Sequence, residues 1–204
     1  MQIKDTYNTI LKPSEEVLFK DKNSKFFGYA FPVKIEEDIK QHLDELKKQH
    51  HTARHWCYAY QLGTEDIKFR ANDDGEPNNS AGKPIYGQIQ SYKLTNILIV
   101  VVRYFGGVKL GVGGLISAYK TTAQMALEAS KIIEKTINKE FLITFDYKNI
   151  NKVMRIIKEK QLKIVNQNLE LSCEIKISVR KKDALTIFDI FSQLFEIKIR
   201  DLND

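Results

Sequence analysis

The sequence predicts an α+β protein built in two parts, residues 1–134 and 139–204. Three observations carry that reading. A continuous apolar run, Ile97 to Val102, ends at Arg103 and opens through a glycine-rich stretch into a helix pattern. Around Lys135 to Lys139 the composition shifts, and neither glycine nor proline occurs beyond it. The elements that follow run β-α-β-β-α-β, the ferredoxin-like split βαβ plan.

Residues 7–11 and 15–20 read as strands on either side of the Pro13-Ser14 turn, and SKFFGYAFPV, Ser24 to Val33, reads as a third strand with Pro32 near its end. Ile35, Ile39, Leu43 and Leu46 then recur at helix spacing. Glu36 and Glu37 at the front and Lys47 and Lys48 at the back suit the dipole of a helix that stops near His50. His55 to Leu62 alternates as a strand: Trp56, Tyr58, Tyr60 and Leu62 share one face, and His55, Cys57, Ala59 and Gln61 the other. The aromatic row reads as core packed against a helix, with base stacking as the competing use. His55 and Cys57 stand two apart on one strand face, about 7 Å, which is too far for a thiol–imidazole hydrogen bond.

The polar segment ANDDGEPNNSAGKP, Ala71 to Pro84, joins a strand at 67–70 to a short helix near 85–92. Asp74-Gly75 is a turn signal, and Pro77 and Pro84 prevent regular pairing. Asp73, Asp74 and Glu76 gather three carboxylates that a hard cation could use, but their spacing is not that of an EF-hand, and an acidic solvated turn explains them better. His50, His51 and His55 straddle a helix-to-strand change, which argues against zinc. Cys57 and Cys173 form no C-x-x-C pair, as expected in a reducing cytoplasm. The expectation is a cytoplasmic protein with no metal, no cofactor and no membrane span.

Five of the 10 glycines, Gly106, Gly107, Gly111, Gly113 and Gly114, crowd between the apolar strand and the helix marked by Leu115, Ala118, Tyr119, Thr122, Ala126 and Ala129. Glycine lets another group approach the backbone closely, and the first turn of a helix leaves N–H groups free beside a partial positive charge. Such a loop can hold an anion, with Arg103 and Lys109 adding charge. The segment matches neither the P-loop nor the dinucleotide fingerprint, so the glycines can equally be read as a tight turn that lets a small-residue helix pack closely.

In the second part, Phe141, Ile143, Phe145 and Tyr147 alternate as a strand, and Ile150, Val153, Ile156 and Ile157 mark a helix. Leu162 to Val165 is a short strand, Leu171 to Val179 alternates again, Ala184 to Leu194 is a second helix, and Ile197 to Ile199 closes the sheet. The plan predicts a four-stranded antiparallel sheet with both helices on one face and Thr144, Asp146, Glu174, Lys176 and Ser178 on the other. That open face lacks the aromatics an RNA-recognition sheet uses for stacking. The net charge of +6 is too diffuse to define a nucleic-acid patch, and there is no DNA-specific motif.

The runs RYFGGVKLGVGGLISAY (103–119), DDGEPNNSAGKPI (73–85), ARHWCYAY (53–60) and SKFFGYA (24–30) resemble the bacterial, YigZ-like branch of the IMPACT family, and the resemblance covers essentially the whole chain. It implies a first domain like the second domain of small-subunit ribosomal protein S-five and a ferredoxin-like second domain. It implies a functional patch on His55, Asp74, Gly75, Glu76, Pro77, Gly82, Arg103, Tyr104, Gly106, Gly107, Lys109, Gly111, Gly113 and Gly114. Bacterial relatives continue DDGEP with small, glycine-containing sequence, whereas Asn78-Asn79-Ser80 stands here; Asn is the best substitute should position 79 need positive φ. Eukaryotic members regulate translation under amino-acid starvation through an additional N-terminal domain, and this chain begins at the common core.

Two functions follow as expectations. The first is a non-enzymatic, translation-associated regulator that binds RNA, the ribosome or a translation factor, with Arg103, Lys109, Gly111, Gly113 and Gly114 holding a phosphate or other anion. The alternative is an enzyme acting on a phosphorylated small molecule or nucleotide, with His55, Asp74 and Glu76 as the candidate catalytic residues.

Overall fold

The computed structural model describes residues 4–202. The chain forms two compact units, one of Tyr7–Lys135 and the other of the residues from Thr136 onward together with those up to Thr6. The N-terminal residues were expected in the first part, but those described before Tyr7 go with the second. The Arg180 guanidinium holds the Asp5 carboxylate, and the Ile137 N–H donates to the Asp5 carbonyl at 2.8 Å.

The first unit is organised on a five-stranded antiparallel sheet in the order β2 (Val17–Asp21), β3 (Ser24–Pro32), β6 (Ile97–Tyr104), β4 (His55–Leu62), β5 (Lys68–Asn72). Strand β6 lies at its centre, as its unbroken apolar run requires: Ile97 to Val102 are all fully buried. Its odd-numbered side chains pack with Phe26, Cys57 and Ala59 under α2 (Gly82–Ser91) and α3 (Gly111–Glu128). Its even-numbered side chains pack with Tyr29, Tyr60 and Leu62 under α1 (Glu36–Gln49). The aromatic row of β4 is therefore core on the α1 side.

The residues before β2 do not form a hairpin with it. Instead β1 (Thr6–Ile10) pairs with β7 (Ile132–Thr136), a strand that its short, half-charged sequence IIEKT conceals. The close packing of α3 on the sheet needs a small partner: a Cβ on Gly28 would meet Thr122 Cγ2 at 2.8 Å. Among the described residues no helix is long and apolar enough to cross a membrane.

The second unit follows the expected plan: β8 (Asn138–Asp146), α4 (Ile150–Glu159), β9 (Lys163–Leu169), β10 (Ser172–Arg180), α5 (Ala184–Ser192), β11 (Ile197–Asp201). The sheet order is β11-β8-β10-β9, antiparallel throughout. Ile143, Ile175 and Phe191 join Val153 and Ile187 in one core, so both helices cover the same face. On the other face Glu174 stands opposite Thr144 and Ser172 opposite Asp146, with Lys198 beside Thr144.

Candidate functional site

Strand β6 ends between the first residues of β3 and β4, so that Arg103 stands opposite both Phe26 and His55. Two loops converge on this end of the sheet, residues 73–81 and residues 105–110. The first loop is built around Asp73, one of the three carboxylates of the acidic turn. Asp73 Oδ1 accepts the N–H groups of Ala81 and Gly82 at 2.9 and 2.8 Å, and its Oδ2 accepts that of Asn79 at 2.9 Å. It thus satisfies the start of α2, where the residue in the capping position, Ala81, has no side-chain acceptor. Asn79 has φ of +62°, the conformation for which asparagine is the best non-glycine choice.

Asp74 Oδ2 accepts the Trp56 N–H at 2.7 Å, and its carbonyl oxygen lies 2.8 Å from His55 Nδ1. A carbonyl only accepts, so Nδ1 carries the proton; His55 is half-buried, and no described residue bonds its Nε2. Of the three loop carboxylates, Asp73 and Asp74 are thus committed to backbone amides, and Glu76 enters a buried pair.

That pair is the centre of the site. Glu76 Oε1 accepts from Arg103 Nη1 at 2.6 Å and from the Tyr119 hydroxyl at 2.7 Å. Both charged residues are buried, Arg103 to 5% and Glu76 to 8% exposure. Arg103 Nη2 also donates to Ser24 Oγ at 3.4 Å, which accepts the Gly106 N–H at 3.2 Å. The guanidinium carbon lies 5.4 Å from the Phe26 ring centre and 5.5 Å from that of Phe105. Behind Tyr119, the Cys57 thiol donates its one proton to the Asp73 carbonyl at 3.0 Å, and its sulfur lies 3.3 Å from the Tyr119 hydroxyl. Burial, before any neighbouring charge, pushes both the Tyr119 hydroxyl and the Cys57 thiol far above their ordinary range, so Cys57 stays protonated and is no nucleophile.

Arg103 was expected to add positive charge to the same pocket as Lys109; in the structure it is paired with Glu76 and lies against the rings of Phe26 and Phe105. Its role is to fasten the start of the glycine loop to β3 through Ser24. Gly106 makes the close approach possible, since a Cβ there would lie 2.1 Å from the backbone carbon of Asn23.

Beyond Gly106 the loop turns outward. Lys109 is exposed, as are Gly111, Val112 and Gly113, while Gly114 is half-buried. Gly107 and Gly111 take φ of +86° and +72°, and an added Cβ at Gly107, Gly111 or Gly113 would meet nothing within 4 Å. Leu110 precedes the helix and provides no side-chain cap. The first N–H groups of an 18-residue helix, with the positive end of its dipole, thus lie at the exposed surface beside Lys109.

The structure therefore gathers His55, Asp74, Glu76 and Arg103 into one interior-facing constellation and leaves Lys109, Gly111, Gly113 and Gly114 on its open side. Asp73, read from the sequence as part of an acidic turn, completes the constellation together with Tyr119 and Ser24, which were not expected there. Only Asp73 carried a local signal, an acceptor shortly before a helix that lacks a capping residue.

Residues 22–127 match the Impact N-terminal domain, which makes the first unit a domain of that class. An "IMPACT family member" of Haemophilus influenzae is 34% identical over 193 residues, covering 91% of this chain and 91% of that protein. "IMPACT family member YvyE" of Bacillus subtilis is 30% identical over 189 residues, covering 93% of this chain and 87% of that one. The chain belongs to the IMPACT family. The crystal structure of a hypothetical protein, 24% identical, superimposes with a TM-score of 0.73 over 97% of both chains and so shares the fold.

Proposed function

We propose that this chain works without catalysis, as a cytoplasmic regulatory protein of translation that binds RNA, the ribosome or a translation factor. The anion site is formed by Lys109 and the glycine-rich start of α3, with the amides at Gly111 and Gly113 free and Gly114 closing the first turn. The observation that carries the reading is the uncapped, exposed start of α3 beside an unpaired lysine. The translation role of eukaryotic IMPACT members gives it its biological setting. The state of the candidate acid–base groups supports it too: Glu76 is bound by Arg103 and Tyr119, and the Asp74 carboxylate by Trp56, which leaves neither free to move a proton.

The test is binding of fluorescein-labelled RNA by the wild type and by Lys109→Ala, followed by anisotropy over a salt series, with sucrose-gradient sedimentation of lysates alongside. Affinity should fall steeply with salt and fall further in the variant. A protein that stays at the top of the gradient at low salt and binds no RNA would overturn the reading.

One observation favours a second reading. His55, held through Nδ1 to the Asp74 carbonyl, has no described partner at Nε2 and stands at the same end of the sheet. An enzyme acting on a phosphorylated small molecule or nucleotide would use it as its base. Thermal-shift screening with nucleotides and sugar phosphates checks this: a stabilisation abolished by both His55→Ala and Lys109→Ala would favour the enzyme.

A further inference from the structure

From Pro77 to Leu127 the sequence contains no aspartate or glutamate, although acidic residues make up 26 of the 204 in the chain. At that frequency, about one in eight, a stretch of this length would hold about six. The same stretch contains Lys83, Lys93, Arg103, Lys109 and Lys120. It supplies all of α2 and all of α3 except its last residue, Glu128, whose carboxylate accepts from Gln124 Nε2 at 2.8 Å.

Folding turns this run into a surface. Helices α2 and α3 pack against one another on the same face of the sheet, so their outward sides are continuous. Arg103 is withdrawn into its pair with Glu76, while Lys83, Lys93, Lys109 and Lys120 are exposed. The helix on the opposite face is of different character: α1 carries Glu36, Glu37, Asp38, Asp44 and Glu45 against Lys40, Lys47 and Lys48. The first unit is thus electrically two-sided, with every carboxylate of its helical layers except Glu128 on the α1 side.

We infer that the outer side of the α2–α3 layer is the surface along which the phosphate backbone of RNA lies, running out from the site at the start of α3. This deepens the proposed function and rests on it. Lysines act as point charges with little geometric demand, so the surface follows phosphates rather than reading bases. The absence of carboxylates matters as much as the lysines, because a like charge facing the phosphates would cost binding. Val112, Gly113, Ile116 and Ser117, exposed between Lys109 and Lys120, add no negative charge.

The test compares two variants with equal loss of charge. One has Lys83, Lys93 and Lys120 changed to Gln, and the other Lys40, Lys47 and Lys48 on α1 changed to Gln. Each binds a single-stranded RNA of mixed sequence over a salt series, with circular dichroism as the folding control. Four lysine–phosphate contacts correspond to a slope of log affinity against log salt of about −3, and one contact to about −1. The α2–α3 variant should therefore drop to the shallow slope and lose about ten-fold or more in affinity at low salt, while the α1 variant keeps the wild-type slope. Equal losses in the two variants would reduce the effect to net charge and overturn the inference. So would a wild type that binds polyglutamate in place of RNA. A wild-type slope in the α2–α3 variant, with binding still lost in Lys109→Ala, would overturn the extended surface but leave the proposed function standing.

Discussion

Arg103→Met separates a structural role for this residue from a ligand-binding one. The change keeps much of the side-chain volume between Phe26 and Phe105 but leaves the Glu76 carboxylate, 8% exposed, with only the Tyr119 hydroxyl as partner. Removing one member of a buried ion pair costs about 3–5 kcal/mol, because the survivor is a charge without compensation. At about 2–4 °C per kcal/mol, the unfolding midpoint should fall by about 10 °C. The Glu76→Gln change strands the guanidinium instead and should cost a similar amount. In the double variant no buried charge remains, and the amide oxygen still accepts from Tyr119, so it should be more stable than Arg103→Met alone. Urea denaturation of the four proteins gives the cycle directly. RNA affinity of folded Arg103→Met, measured well below its midpoint, should equal that of the wild type. A stable Arg103→Met that had lost RNA affinity would refute the structural assignment and restore Arg103 to the binding site.

Three other outcomes follow from the same geometry. Asp73→Ala leaves the amides of Asn79, Ala81 and Gly82 without their acceptor and should cost about 2–3 kcal/mol in urea denaturation. At position 79, Asn79→Gly should be tolerated, whereas Asn79→Val, forced to φ near +62°, should lose about 1–2 kcal/mol. His50, with Nε2 2.6 Å from the Tyr29 hydroxyl and Nδ1 3.0 Å from that of Tyr104, has its pKa lowered by burial, partly offset by Glu16. The unfolded chain therefore takes up the proton more readily, so the stability contributed by neutral His50 is full above about pH 6.5 and is lost as the pH falls below that value. Melting curves should shift downward between pH 7.5 and pH 5 with a smaller shift in His50→Gln, and equal shifts in the two proteins would exclude His50 as the cause.

The fold was legible wherever burial imposes a period. Strand β6 shows as an unbroken apolar run because both its faces are covered, and β4 and β10 alternate because each side chain must choose between two environments. Strand β7 was invisible: it pairs only with β1, and most of its side chains remain exposed, so no hydrophobic period marks it. Strand β9 was read short for a related reason, since after Ile164 its residues are exposed along the edge of the sheet. Turn chemistry was more informative. The need for positive φ at Asn79 was posed by the resemblance to relatives with a glycine-containing loop, because asparagine tolerates that conformation and most residues do not.

Charge was the least legible property, and Arg103 and Lys109 show why. Both stand near the glycines in sequence, and a sequence records that each is cationic but not which charge is already compensated. Compensation comes from Glu76, 27 residues away, through a contact that exists only once β6 is buried and the 73–81 loop is folded over its end. Position along β6 decides the outcome: Arg103 continues the odd-numbered row that faces α2 and α3, so its side chain must enter the core and find a carboxylate there. Lys109 lies past the strand, in a loop held out by Gly107 and Gly111, and nothing obliges it to pair. The division of labour follows from this placement. The arginine ties the base of the loop to Ser24, and on the proposed reading the exposed lysine beside the start of α3 is the group that would meet a phosphate.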